Sequence, residues 1–295
     1  MFAQASEWMK ALQFRDIQGN AYGYNLEGSL PGVAFRGVNE SYTESTGIVN
    51  PKVEMLRIGG GDLDVDIAIL KTQGEEVRAT HEAMKVKALA AEFSRVLIKG
   101  DSTSNPREFD GLQNRCTGSQ LIAAGATAGG DALSLSILDQ AIDQTISPTA
   151  IFCSKQMRRR LVQAARNVNI GGYISFAPNE FGRRPGAGDA KSLDVFYNGI
   201  PVLVAYPDNG GTEPIAFNEA NPGGGGAVGT SMYVLGIGDG LLQGIQNGMM
   251  DVRDLGELQT APVKRTRVEW LTSIAIEHGR AVTRLYGVKD AAIVA

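Results

Sequence analysis

Three features predict an α+β fold for this 295-residue chain. The first quarter is extended and glycine-punctuated, one long charged helix follows Gly74, and short strands crowd the last third with no regular strand–helix alternation. A chain of this length can bury one large core or two smaller lobes. With 43% hydrophobic and 20% charged residues, global disorder is excluded. The 37 glycines are dispersed, which reads as many turns. A net charge of -4 gives no overall steering toward nucleic acid, although such a chain can enclose nucleic acid without gripping it.

Residues 1–50 have weak periodicity. Trp8, Phe14, Tyr22, Tyr24, Phe35 and Tyr42 lie among Gly, Ser and Asn. They need cover from their own domain or from a neighbouring subunit. Residues 52–58 read as a strand. After Gly59-Gly60-Gly61, Leu63, Val65, Ile67 and Ile69 alternate with Asp62, Asp64, Asp66 and Ala68, a period of two. The two stretches are expected to pair as a hairpin across the glycines.

A helix is expected over 75–99, closed by Gly100, with Glu75 and Glu76 at its positive end and Lys99 at its negative end. Val77, Met84, Ala88, Ala91 and Val96 form its predicted buried stripe, with Leu89 and Phe93 beside it. Arg78, Glu82, Lys85 and Glu92 fall on the wet side, which suggests a helix lying over a sheet. Asn105-Pro106 and Asp110-Gly111 mark turns. Asp131 is expected to cap a helix to Thr145 that buries Leu133, Ile137, Leu138 and Ala141. A short strand at 149–153 precedes a helix over 155–166 capped by Ser154. Asn198-Gly199 predicts a hairpin turn within a run of short strands over 171–215. Residues 221–230 read as a flexible loop. Strands are expected at 232–237, 241–246, 264–276 and 281–286, with Val268, Trp270, Thr272, Ile274 and Ile276 on one face.

Signals for chemistry are weak. The two histidines, His81 and His278, and the two cysteines, Cys116 and Cys153, are far apart in sequence, so neither a zinc site nor a disulfide scaffold is expected, and reduced thiols are the simpler reading. Gly236, Gly238 and Gly240 match only part of a dinucleotide loop, and Gly59–Gly61 lacks the lysine of a phosphate loop. Asp62, Asp64 and Asp66 resemble calcium ligands, but Ile67 and Gln73 stand where a calcium loop needs glycine and glutamate. They read as a solvated edge or as a face meeting a basic neighbour. No GxSxG elbow is present. No catalytic, cofactor-binding or metal-binding residue is assigned, no cofactor is expected, and the chain reads as a non-enzyme. A hydrolase assembled in space from His278, a serine and an aspartate is the reading of a different class, and it requires a deep polar pocket. The basic helix carries Lys155, Arg158, Arg159, Arg160 and Arg166. Its face is solvated, or pairs across subunits with the Asp62–Asp66 strand, or touches nucleic acid weakly. The N-terminus has no basic-then-apolar signal pattern, and the apolar runs fall short of a membrane span.

In order along the chain, these segments resemble the Hong Kong 97-type major capsid proteins of tailed bacteriophages. The most specific local match is 92–112, which leaves the helix through Gly100, Asp101, Asn105, Pro106, Phe109, Asp110, Gly111 and Leu112. The resemblance implies an N-terminal arm at 1–35, a two-stranded extended loop at 36–72, and a peripheral domain at 73–145 with spine helix 75–99. It further implies an axial domain at 146–255 and a return to the peripheral domain at 256–295. The implied function is a virion subunit, assembled in the host cytoplasm into hexamers and pentamers of an icosahedral shell around double-stranded DNA, with contacts between capsomers made by the arm and extended loop. The implied partners are further copies of itself, a scaffolding protein, a portal protein and possible decoration proteins, with DNA as weakly contacted content and no membrane. Because the chain starts almost at the arm, a separate scaffold or an already processed form is expected. Lys52 and Lys71 flank the loop, but nothing local identifies a partner for an isopeptide crosslink. An encapsulin-type nanocompartment shell, whose N-terminal amphipathic helix binds cargo, is the alternative within the same fold.

Overall fold

A computed structural model describes residues 7–166, 174–178, 193–204, 213–221, 224–226 and 228–294. The expected strand and turn signals at 171–173 and 205–212, and part of the 221–230 loop, lie outside the described residues. The architecture is α+β, with two sheets and a separate two-stranded ribbon.

The first sheet is organised by one long strand, β13 (Val263–Ile276). Its first part is flanked by β12 (Asp251–Glu257) and β4 (Arg57–Asp66), its last part by β11 (Leu242–Gln246), and β1 (Phe14–Asp16) adds in parallel to β11. The second sheet has seven strands in the order β5-β14-β10-β6-β9-β8-β7. These are β5 (Leu121–Ala123), β6 (Ala150–Cys153), β7 (Ile174–Pro178), β8 (Leu193–Tyr197), β9 (Ile200–Val204), β10 (Thr230–Leu235) and β14 (Val282–Val288). The ribbon is β2 (Ala21–Ser29) with β3 (Ile48–Met55).

The hairpin expected across Gly59–Gly61 does not form. β4 runs straight through the glycines and pairs with β13, while 48–55 pairs with 21–29. A two-stranded projection therefore lies over 21–55, where 36–72 was expected. At Gly60 a Cβ would sit 2.2 Å from the Val268 carbonyl oxygen, so close strand approach requires glycine there. The apolar alternation ends at Asp66, whose carboxylate accepts from the Ala68 amide and opens a short helix, α2 (Ile67–Gln73).

The long helix α3 (Glu76–Lys99) matches its expected span, but its faces differ. Met84 and Ala88 are exposed, whereas Arg78 and Glu82 turn toward the sheet and both bond the Thr266 hydroxyl. The inner face of the sheet there offers a hydroxyl and the glycine backbone of β4, which suit polar partners better than methyl groups. Only beyond Leu89 does the helix bury apolar residues, with Ala90, Phe93, Val96, Leu97 and Ile98 in the core. Gly100 ends it with φ -57, so no left-handed cap is used. Its lack of a Cβ is needed because Phe109 O would lie 2.2 Å away.

The core continues from α3 through Trp270 and Phe93, 5.0 Å apart, to Phe152 of the second sheet. Trp8 in α1 (Glu7–Ala11) stacks on Phe152 at 4.8 Å, and Phe14 packs on Phe93 and Trp270. Part of the expected arm is thus core. A second apolar cluster lies between the seven-stranded sheet and helices α5 (Leu135–Gln144) and α6 (Lys155–Ala164). Helix α5 begins after Ser134, because Asp131 is held in a bridge to Val288 and does not cap it. Ser154 does cap α6, accepting from the Met157 amide. Asn198 and Gly199, with φ 50 and 80, form the two-residue turn between β8 and β9 that their sequence predicts.

Candidate assembly surface

The ribbon has two regions. Its root is tied to the body by polar contacts. Tyr22 and Tyr24 stack at 5.9 Å, as alternate residues on one strand face can. Tyr22 donates to Glu277 at 2.7 Å and accepts from Arg15 at 3.0 Å, and Tyr24 donates to Glu54 at 3.2 Å. Burial and then the Glu54 charge push the Tyr24 phenol up to about 12, which keeps it a donor at physiological pH. Arg115 grips Glu54 with both terminal nitrogens, at 2.5 and 2.8 Å, and donates from Nε to the Asp110 carbonyl at 2.7 Å. Leu56, Ile245 and Ala275 close a small apolar cluster beneath.

Beyond the root, residues 25–29 and 48–51 pair only with each other, for roughly 16 Å at about 3.3 Å per residue. They end in the loop 30–47, where Leu30, Val33, Phe35 and Val38 are 79%, 94%, 107% and 92% exposed. Four such side chains, uncovered and clustered in one stretch of the chain, are unusual on a subunit that acts alone.

The turn after α3 explains how Arg115 is placed. Asp101 accepts from the Thr103 amide and the Ser104 hydroxyl, Asp110 from the Ser102 amide, and the Gly111 amide bonds Gly100 O at 2.8 Å. Phe109 and Leu112 are buried, so the turn is fixed at both ends and the following helix α4 (Leu112–Arg115) aims its arginine at the ribbon. The Gly100–Leu112 pattern is in this way a positioning device for the ribbon root.

At the other end of α3, Arg78 bonds Asp254 at 2.7 Å and lies 3.2 Å from Glu82. The Arg78 hydrogen bond, helped by the Gly256 amide, holds the Asp254 carboxyl down at about 2, below the usual carboxylate range. A depressed carboxyl contributes stability that is complete above its unfolded value and is lost as pH falls through the folded one. Asp254 is 56% exposed, so solvent screening limits this to less than about 1 kcal/mol. Asp254→Asn is therefore expected to lower stability above about pH 5 by less than about 1 kcal/mol, to flatten the acid limb between about pH 4 and about pH 2, and to match wild type below that, as read from urea midpoints across pH.

The acidic strand finds its partners inside the subunit. Asp62 bonds Arg267 at 2.7 Å and Asp64 bonds Arg265 at 2.6 Å, directly across the β4–β13 ladder, which lowers both carboxyls. This overturns the expected pairing of the Asp62–Asp66 strand with the basic helix of another subunit. On that helix Arg160 bonds Asp290 at 2.7 Å, Arg158 lies 3.5 Å from Glu7, and Arg159 and Arg166 are exposed. Lys52 lies on β3 opposite Tyr24, and Lys71 is exposed on α2.

His81 is exposed on α3, and His278 Nδ1 accepts from the Arg280 amide at 3.0 Å. Neither lines the depressions of 390 and 240 Å³ found on the described surface. Cys116 and Cys153 are buried free thiols, and burial pushes each up to about 12. Among the described residues no three His, Cys, Asp or Glu side chains group as a metal site, and no helix is long and apolar enough to cross a membrane.

A family model described as Major capsid protein GP7 matches residues 18–167, just over half of the chain, spanning the ribbon, α3, the Gly100–Leu112 turn, α5 and α6. The chain belongs to the GP7 major capsid protein family. No curated protein sequence matches it. Solved structures show the same fold in this capsid protein as in other shell proteins. A chain from Mycobacterium phage Adephagia superposes with TM-score 0.66 at 10% identity, over 98% of this chain and 91% of that one. The SrpI encapsulin of Synechococcus elongatus gives 0.63 at 17% identity, over 97% and 88%. The capsid of a native GTA particle gives 0.63 at 11% identity, over 94% and 88%. The capsid protein therefore has the Hong Kong 97-type α+β fold.

Sequence reasoning missed Glu54, Arg115, Tyr22 and Tyr24 as the ribbon's anchors. The only available signal was the aromatic alternation Tyr22-x-Tyr24. The partners Glu277 and Arg115 lie 255 and 61 residues away from the tyrosine and glutamate they hold.

Proposed function

We propose that this capsid protein is the structural subunit of an icosahedral phage shell, assembled as hexamers and pentamers around double-stranded DNA. The ribbon 21–55 serves as the extended loop that contacts a neighbouring subunit, and α3 as the spine helix. In place of the expected bounds 73–145 and 146–255, the peripheral domain is taken to follow the first sheet with α3, and the axial domain the second sheet with α5 and α6, because β11 and β12 pair in the first sheet and β5 and β14 in the second. The observation that carries this reading is a rigidly rooted ribbon whose apolar tip has no cover in its own subunit. Burying Leu30, Val33, Phe35 and Val38 would yield roughly 6–12 kcal/mol gross, enough to offset much of the cost of holding two subunits together. A scaffolding protein, a portal protein and decoration proteins complete the proposed partners. The virion is the proposed location, after assembly in the host cytoplasm. DNA is content, touched weakly through exposed arginines such as Arg159 and Arg166.

An encapsulin-type compartment would need its N-terminal amphipathic segment free to hold cargo. Trp8, Met9 and Leu12 are instead buried in the subunit's own core, which favours the phage reading. Co-expression with the scaffolding protein is expected to give large closed particles by sedimentation and electron microscopy, filled with nuclease-protected DNA when packaging proteins are present. Only monodisperse 31 kDa monomer under those conditions contradicts the shell reading, and particles loaded with an enzyme instead of DNA support the compartment.

A further inference from the structure

We draw no further inference here: the strongest candidate, the exposed basic face of helix α6 that carries Arg159 and Arg166, belongs to the DNA contact already proposed, and nothing in the structure shows another partner covering it.

Discussion

Replacing residues 30–47 with Asn-Gly is expected to abolish particle formation while leaving the subunit folded. Ser29 and Ile48 are paired across the ribbon, so a two-residue turn can close the shortened hairpin without shifting its register. The removed loop contributes no buried apolar residue to the subunit, and its contacts are internal, as in the Gly37 amide bonding Glu40 and the Gly32 amide bonding Ser45. Thermal stability should therefore change by less than about 1 kcal/mol, the ordinary range for surface changes. Assembly would lose the roughly 6–12 kcal/mol of gross apolar burial available at each ribbon tip. Circular dichroism and sedimentation on one preparation check both halves. A deletion variant that unfolds would show that the loop supports its own domain, and one that still closes shells would show that the ribbon tip is dispensable.

Arg115→Ala carries the second large effect. Arg115 and Glu54 are only 13% and 19% exposed, and the pair is bidentate, so removing the arginine leaves a carboxylate largely buried beside the Tyr24 phenol. Breaking a pair of that kind costs about 2–4 kcal/mol after allowance for partial exposure, or roughly 4–10 °C in Tm for a chain of this size. Arg115→Lys should recover only part of this, because an ammonium supplies the charge without the two-pronged geometry. Glu54→Gln in the Arg115→Ala background should recover some stability by removing the unpaired charge. If Arg115→Ala unfolds at the wild-type temperature, the root is held by Tyr22 and Leu56 without help from this pair.

Elements defined by local signals were legible from the sequence. The span of α3, the Ser154 cap, the Asn198-Gly199 turn and the alternation along β13 all follow from nearby residues. Pairing over long distance was not legible. Three consecutive glycines look like a turn, yet in β4 they permit close packing against β13 and α3 and extend the strand. The same misreading placed the projecting ribbon at 36–72, which would take all of β4 out of the sheet that it builds with β13. Arg78 and Glu82 were assigned to the wet face of α3 because charge usually marks solvent. Their destination was set by Thr266, 188 residues away from Arg78 in sequence. The assembly surface was visible only as an excess of uncovered aromatics, and Trp8 and Phe14 turned out to be covered by their own subunit.

Amide hydrogen exchange over residues 21–55, compared between free subunits and assembled particles, tests most directly whether the ribbon joins copies of this chain. In free subunits the root near Tyr22, Tyr24 and Glu54 should be protected, while the distal strands and the 30–47 loop exchange fast. In particles the slowing should spread to the distal strands and loop. Identical exchange of the loop in both states would contradict the account.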